Sequence, residues 1–453
     1  MENQSAKNDG IINWINESVF FRLCVIGVLT LILLIPSFLV QDLIQERQNR
    51  QEEVIKEISD KWSGSQLVQG PVMVLPYKNQ NIYILPDALN ISSQVNPEVL
   101  HRGIFDAVVY SASMQVSGKF SLLELKKSGI DPDQIQWDKV KVVIGLSDLK
   151  GLKNNPIIKL ADQPYQVEPD FTSLKLFNHN LVILPNLSKG RNTALPFSFD
   201  LDLKGSTALN FLHLGKSTLV KVEGKWSNPS FTGRYLPEDR QISKAGFSAN
   251  WKLPFYNRPF PQQWMAEQTI INTVIEGAEK DLPPSIETAV NPDKQTNDAY
   301  FGVNFKLPVD QYQKTMRSAK YSILVVLLTF LSLFFTELLY KRKVHLLQYV
   351  LIGAAMVIYY TLLLAFSEQV GFNMAYVIAS IATVALVSSF ITVLLKDKKP
   401  ALIFGGILSI FYTFIYVIIQ LQDLALLFGS VGLFVTVAVL MYLSTRIDWS
   451  KER

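Results

Sequence analysis

The sequence predicts a membrane protein with an N-terminal anchor helix, a mainly β exported domain and a C-terminal five-helix transmembrane bundle. Its 453 residues are 49% hydrophobic and only 18% charged, and their mean hydropathy is +0.19. The apolar excess lies in one N-terminal run and one long C-terminal block, and polar and apolar residues alternate in the segment between them. This distribution excludes a single soluble globule.

The predicted anchor is the uncharged run Leu23–Val40, which follows Arg22. Eighteen residues are enough to cross a hydrocarbon core of about 30 Å. A cleaved signal peptide is the competing interpretation. The segment before the run carries charges of both signs, however, and no small-residue cleavage site follows Val40. We therefore predict a cytoplasmic N-terminus over residues 1–22 and an uncleaved transmembrane anchor over residues 23–40.

Residues 41–66 are predicted to form a charged helical stalk that packs on the domain after it. Val54, Ile55, Ile58 and Trp62 make one apolar stripe at helical spacing. A coiled coil that binds a partner is the alternative, but the stripe is too short for three heptads.

Residues 67–313 are predicted to form the exported domain, because apolar residues recur there with a period of two. One helix is expected, from Gln262 to about Glu279. With 25 basic and 24 acidic residues the domain is nearly neutral, so we predict no nucleic-acid partner. The alternation indicates half-buried strands of a sandwich-like fold, and it is clearest in the runs Tyr110–Ser117, Phe197–Lys204 and Phe247–Leu253.

Residues 321–443 contain the five predicted C-terminal spans. Nine Lys and Arg residues lie in the first and third connections and in the tail (residues 444–453), whereas the second and fourth connections have none. The positive-inside rule then places both termini in the cytoplasm and the exported domain outside. The spans are Tyr321–Tyr340, Leu346–Phe366, Met374–Leu395, Ala401–Gln420 and Leu424–Leu443.

No catalytic, cofactor-binding or metal-binding residue is predicted, so we do not expect an enzyme. The sequence Gly215–Thr218 ends like a phosphate loop but lacks the first glycine. The four histidines are scattered, and Asp200 and Asp202 are interpreted as solvated strand residues and not as Ca²⁺ ligands. The single cysteine excludes an intrachain disulfide.

The positions of the acidic residues in the C-terminal block argue against coupled transport. A coupled transporter usually buries an acidic residue near the bilayer midplane. Glu337, Glu368 and Asp423 all lie close to the ends of predicted spans. The midplane polar groups are hydroxyls, such as those of Ser380 and Tyr412, which usually serve helix packing.

Several short blocks, in order along nearly the whole chain, resemble the CreD family of bacterial inner-membrane proteins. The resemblance implies the same three-part architecture and a role in cell-envelope integrity, and it supplies no catalytic residue. The blocks are Gly70–Tyr77, Trp226–Phe247, Asp310–Tyr321, His345–Tyr349, Ser367–Phe372 and Arg446–Trp449.

Two of these blocks lead to local hypotheses. Glu368, in a predicted outer loop, is expected to pair with Lys314, Arg317 or Lys320, and contact of these cations with lipid headgroups is the alternative. The block that starts at Trp226 is interpreted as a rigid turn in the core, or else as an exposed partner patch.

We therefore predict a non-catalytic multi-pass protein of the bacterial inner membrane that contributes to envelope integrity or stress tolerance through its periplasmic domain. The predicted partners are the lipid bilayer and other envelope proteins, and the sequence identifies no small-molecule ligand. A transporter or flippase of an envelope component is the main alternative. A membrane-associated enzyme and a signal sensor rank lower, because no catalytic set and no cytoplasmic output domain are recognisable.

Overall fold

The computed structural model describes residues 19–121, 129–170, 176–177, 179–187, 194–258, 260–266, 300–305, 307, 311–340, 344–421 and 424–445. The chain divides into two compact units. We call Met1–Arg50 with Val309–Arg453 the membrane unit, and Gln51–Pro308 the β unit. An apolar N-terminal helix, a central region of β-sheet and a C-terminal series of helices confirm the predicted fold class.

Seven α-helices lie in the described part of the chain. The first is continuous through the predicted anchor and the predicted stalk, for 44 residues. The helices are α1 (Val19–Trp62), α2 (Gln311–Lys320), α3 (Ser322–Tyr340), α4 (Leu346–Val370), α5 (Phe372–Leu395), α6 (Lys398–Gln420) and α7 (Ala425–Thr445).

Four of these helices (α1, α4, α5 and α6) are each long and apolar enough to cross a membrane. A fifth candidate span results if α2 and α3, which meet at a bend of 42°, are counted together. Helix α7 contributes the shorter apolar stretch Leu426–Val439.

The prediction of a loop over Ser367–Asn373, between two of the predicted spans, is wrong. Helix α4 continues to Val370 and α5 starts at Phe372, so that Gly371 alone separates them. Gly371 has φ 77° and ψ 160°, a conformation that ends a helix within one residue and strongly favours glycine. Glu368 therefore lies in the last turn of a helix.

The β unit contains two sheets. The nine-stranded sheet has the order β13-β17-β11-β1-β5-β9-β8, with β2 and β16 added beside β1, and the eight-stranded sheet has the order β14-β15-β12-β3-β4-β10-β6-β7. The strands are β1 (Gln66–Tyr77), β2 (Gln80–Ile84), β3 (Ala88–Arg102), β4 (Phe105–Phe120), β5 (Lys141–Leu146), β6 (Ile157–Leu160), β7 (Gln163–Gln166), β8 (Glu168–Pro169), β9 (His179–Ile183), β10 (Leu195–Ser206), β11 (Ala208–Leu212), β12 (Ser217–Gly224), β13 (Pro229–Gly233), β14 (Asp239–Ser243), β15 (Gly246–Pro254), β16 (Gln263–Ala266) and β17 (Tyr300–Phe305).

The two sheets share one core, and the alternating residues of the sequence build it. Residues such as Ile144 in β5 and Met114 in β4 belong to the same buried cluster. A second cluster, with Val143 and Phe177 among its members, covers the other face of the nine-stranded sheet. Among the described residues of the β unit, the broad sheet face open to solvent belongs to the eight-stranded sheet, because its strands alternate buried and exposed residues.

The segment predicted as a helix from Gln262 to Glu279 begins instead as a strand. Residues Gln263–Ala266 form β16, which pairs with β2 and stacks Trp264 on Tyr83 at 5.3 Å between ring centroids. The prediction is wrong there because tertiary strand pairing overrides a local helical pattern. Its continuation lies outside the described residues.

The Trp226 block packs at the edge of the core. The Trp226 ring meets Phe305 edge-on at 6.5 Å, and Phe231 contacts Trp251 at 5.7 Å. Both residues are partly buried against the main core cluster, in agreement with the core interpretation.

The junction between α1 and β1 is held by Asp148. One carboxylate oxygen accepts hydrogen bonds from Ser63 Oγ (2.9 Å) and from the backbone N of Gly64 (3.1 Å), and the other accepts from the backbone N of Lys150 (3.0 Å). Burial opposes ionisation, but these bonds favour the carboxylate and lower the pKa of Asp148 overall. Gln66 extends the network by donating to Ser63 Oγ.

Candidate functional site

The described part of the membrane unit contains a three-residue polar cluster around Glu368. Arg47 forms a bidentate ion pair with it, with Nε 2.9 Å from Oε1 and Nη2 3.0 Å from Oε2. The Tyr312 hydroxyl also donates to Oε1, at 2.9 Å. The Glu368 side chain is 9% exposed and that of Arg47 38% exposed. The Glu368 carboxylate is therefore paired with a cation and largely shielded from solvent.

Three helices that are distant in sequence supply this cluster. Glu368 lies in the last turn of α4, Arg47 lies on α1 beyond the anchor run, and Tyr312 lies in the first turn of α2. The prediction that Glu368 pairs with Lys314, Arg317 or Lys320 is wrong about the partner. The only signal in the sequence was that Arg47 is the first basic residue after the uncharged run.

Lys314 instead serves a neighbouring contact at this end of the helices. Its Nζ donates to Gln420 Oε1 at 3.0 Å and lies 5.7 Å from the centre of the Phe372 ring. Gln420 in turn donates to Asn373 Oδ1 at 2.7 Å. The amphipathic helix α2 thus joins α4 through Tyr312 and joins α6 through Lys314.

The hydroxyls that the sequence predicts near the midplane take part in helix packing. The rings of Tyr359 on α4 and Tyr412 on α6 lie 4.6 Å apart, and the Tyr376 hydroxyl on α5 donates to the Tyr412 carbonyl at 2.8 Å. Tyr359 and Ser380 share a longer hydroxyl contact of 3.4 Å. Glu337 is also packed inside this unit, where it is 5% exposed and accepts from the Tyr349 hydroxyl at 3.2 Å.

The solvent-facing side of the eight-stranded sheet is a second candidate site, which we call the polar face. Neighbouring strands align its exposed or half-buried polar side chains in rows. Six strands at about 4.8 Å spacing make each row about 24 Å wide. One row is Asp239, Asn250, Lys221, Ser92, Gln115 and Asp200, and the next is Gln241, Ser248, Glu223, Gln94, Ser113 and Asp202.

Glu223 is the most connected carboxylate of the polar face. It accepts from Lys221 Nζ at 2.7 Å, Gln94 Nε2 at 2.6 Å and Ser248 Oγ at 3.2 Å. The bonds from Lys221 and Gln94 are the main reason that the pKa of Glu223 is lowered. A groove of about 820 Å³ runs past Glu223, between the β14–β15 hairpin and strands β3 and β4. Its walls offer hydroxyl, amide and charged groups for hydrogen bonding.

The motifs weighed in the sequence have structural roles. Gly215 donates its backbone N–H to Thr218 Oγ1 at 3.0 Å, and the same hydroxyl contacts Nδ1 of the buried His213 at 2.9 Å. Burial lowers the pKa of His213 to about 4, and a bond to the Pro254 carbonyl opposes this shift only in part. Among the described residues no three His, Cys, Asp or Glu side chains come close enough to hold a metal ion.

Comparison with known proteins connects this geometry to a family. The family model described as inner membrane protein CreD matches residues 18–450. The chain belongs to the CreD family. It is 26% identical to the curated Escherichia coli (strain K12) protein named inner membrane protein CreD, over 96% of this chain and 94% of that protein. The resemblance found in the sequence blocks is thus confirmed, and the chain is an inner-membrane protein with several apolar helices.

Proposed function

We propose that this CreD family protein contributes to cell-envelope integrity without catalysing a reaction, and that its β unit acts in the periplasm. Both termini would then lie in the cytoplasm. The proposal rests on the polar face, which is the one broad solvent-facing sheet surface in the described part of the β unit. Its partners would be other envelope components, whereas the membrane unit would contact the lipid bilayer.

The chemistry of the polar face supports binding more than catalysis. Seven of the twelve residues in the two rows are serine, glutamine or asparagine, and the other five are four carboxylates and Lys221, so the rows offer many hydrogen bonds and a net negative charge. Its carboxylates are solvated or paired with lysine and amide donors, as Glu223 is. Such a surface suits a polar partner that is held by many weak contacts.

A complementation experiment tests this proposal. A strain that lacks the gene should lose viability under detergent or cell-wall antibiotic stress, and the wild-type gene should restore it. We expect the double variant Ser113→Arg with Gln115→Arg to reach the membrane at normal levels but to restore viability poorly, because it places bulk and charge on the polar face. The matched control is His179→Arg, an exposed change on β9 of the other sheet. Full restoration by the double variant would contradict the proposal.

The orientation has its own test. Reporter fusions after Lys399 and at Arg453 should be active in the cytoplasm, and fusions within Gln51–Pro308 should be active in the periplasm. This follows from the nine cations in alternate connections. A periplasmic signal from the Arg453 fusion would contradict the six-span topology.

The transporter or flippase alternative has one supporting observation, a groove of about 1020 Å³ between α5 and α6. Hydroxyls of Ser380, Ser388 and Tyr412 are among its lining groups. If the purified protein in lipid vesicles moves a fluorescent phospholipid between leaflets faster than empty vesicles do, this alternative replaces the non-catalytic proposal.

A further inference from the structure

The groove between α5 and α6 exists because residues with small side chains line it. Gly405, Gly406 and Ser409 line it from α6, and Ala385 and Ser388 line it from α5. A Cβ atom added at Gly405 would lie 2.5 Å from Ser388 Oγ, so the two helices touch at the floor of the groove. A Cβ atom added at Gly406 would meet nothing within 4 Å, so the groove is open above that position.

The rim of the groove is apolar and faces outward from the helices. Leu402 is 79% exposed and Ile381 is 65% exposed. Both belong to helices that are long and apolar enough to cross a membrane. Lipid chains are therefore the medium in contact with this rim.

One end of the groove carries a positive charge. Lys398, the first residue of α6, lines the groove, and Lys396 and Lys399 flank it. The single acid in this connection, Asp397, accepts a hydrogen bond from the Lys399 backbone N at 3.0 Å and caps α6. Three lysines and one aspartate leave this end cationic.

We propose that this groove binds an anionic phospholipid, with one acyl chain along the cleft and the phosphate at Lys398. The lining of the groove extends along α6 from Lys398 to Tyr416, about 27 Å at a rise of 1.5 Å per residue. An acyl chain of one leaflet spans about half of the roughly 30 Å hydrocarbon core, so it would occupy the half of the groove nearest Lys398. A chain would fill the open space above Gly406.

The buried hydroxyl of Ser388 marks the floor of the groove. Its Oγ is shielded from solvent, and it has no hydrogen-bond partner in the described part of the chain. The contact of α5 with α6 at Gly405 covers this hydroxyl, so protein closes the floor of the groove and a ligand would contact its walls. The inference concerns lipid binding, and it holds whether or not the proposed envelope role is correct.

The experiment measures lipid retention by the full-length protein. Wild-type protein in nanodiscs of phosphatidylcholine mixed with phosphatidylglycerol is released into the gas phase, and the bound lipids are counted by native mass spectrometry. We expect the wild type to retain phosphatidylglycerol in preference to phosphatidylcholine. Lys398→Gln should lower that retention about fivefold, the electrostatic contribution expected from one lysine near an anionic surface. Gly406→Leu should lower it as well, because leucine fills the cleft.

Two matched controls separate binding from general effects. Lys396→Asn removes one cation from the same connection outside the groove lining, and Gly429→Leu adds a leucine to α7 where a Cβ atom also meets nothing within 4 Å. Both should retain phosphatidylglycerol as the wild type does. The proposal is overturned if the wild type shows no preference for the anionic lipid, or if Lys398→Gln retains as much as Lys396→Asn. It is also overturned if Gly406→Leu instead dissociates a dimer that carries no lipid, because the groove then binds a second copy of the chain.

Discussion

The ion pair between Arg47 and Glu368 should couple helices α1 and α4 energetically. The perturbation is a charge exchange, in which Glu368→Arg and Arg47→Glu are made singly and then together. Each single change places two like charges side by side at a site where the Glu368 side chain is only 9% exposed. The double change restores an attractive pair between the same two positions, with the charges exchanged.

The magnitude follows from the geometry. Breaking a fully buried pair by removing one partner costs about 3–5 kcal/mol. Arg47 keeps 38% of its side chain exposed, which reduces this value toward the roughly 1.5–3 kcal/mol of hydrogen bonds to charged groups. We expect each single variant to lose about 2 kcal/mol of unfolding free energy. The double variant should regain at least about 1 kcal/mol relative to the sum of the single changes.

The assay is thermal or denaturant unfolding of the full chain in detergent, analysed as a double-mutant cycle. The control cycle pairs Glu368→Arg with Lys314→Glu, because the described contacts of Lys314 are to Gln420 and Phe372. The control should show no restoration. Equal restoration by Lys314→Glu, or additive losses for Arg47 and Glu368, would refute the assignment of the partner.

Three further predictions concern the β unit. The pKa of His213 is lowered from 6.5 to about 4 in the folded state, so the folded protein favours the neutral ring. The resulting stability, about 3 kcal/mol, is fully present above pH 6.5 and is lost as the pH falls toward 4. The unfolding free energy of His213→Asn should therefore vary less with pH over this range. Gly233→Ala should lower the melting temperature far more than Gly103→Ala. A Cβ atom added at Gly233 would lie 2.3 Å from a backbone carbonyl oxygen, whereas one added at Gly103 meets nothing, and only the left-handed φ of +64° there costs about 1 kcal/mol. Equal losses in melting temperature would contradict this. A soluble fragment Gln51–Pro308 should be more stable to denaturant than Leu67–Gln313, because the shorter fragment lacks Ser63 and Gly64, which bond to Asp148; equal stability would show that the junction contributes nothing.

Local patterns in the sequence determine much of this protein. Hydropathy alone identifies the anchor and the C-terminal helices, because a bilayer requires long uncharged segments wherever they lie in the fold. Period-two alternation marks β4, β10 and β15, since each of these strands has one face on the core and one in water. The family blocks then assign the inner membrane, because they recur in order along the chain.

Only the tertiary structure decided which distant groups meet. Arg47 and Glu368 are 321 residues apart, and three basic residues closer in sequence were equally plausible partners. The strand Gln263–Ala266 forms where the local pattern indicated a helix, because pairing with β2 contributes backbone hydrogen bonds that propensity does not include. The order of strands, which aligns the rows of the polar face, and the groove between α5 and α6 have the same origin. Each depends on the packing of segments far apart in sequence, and a local pattern carries no information about the energy of such contacts.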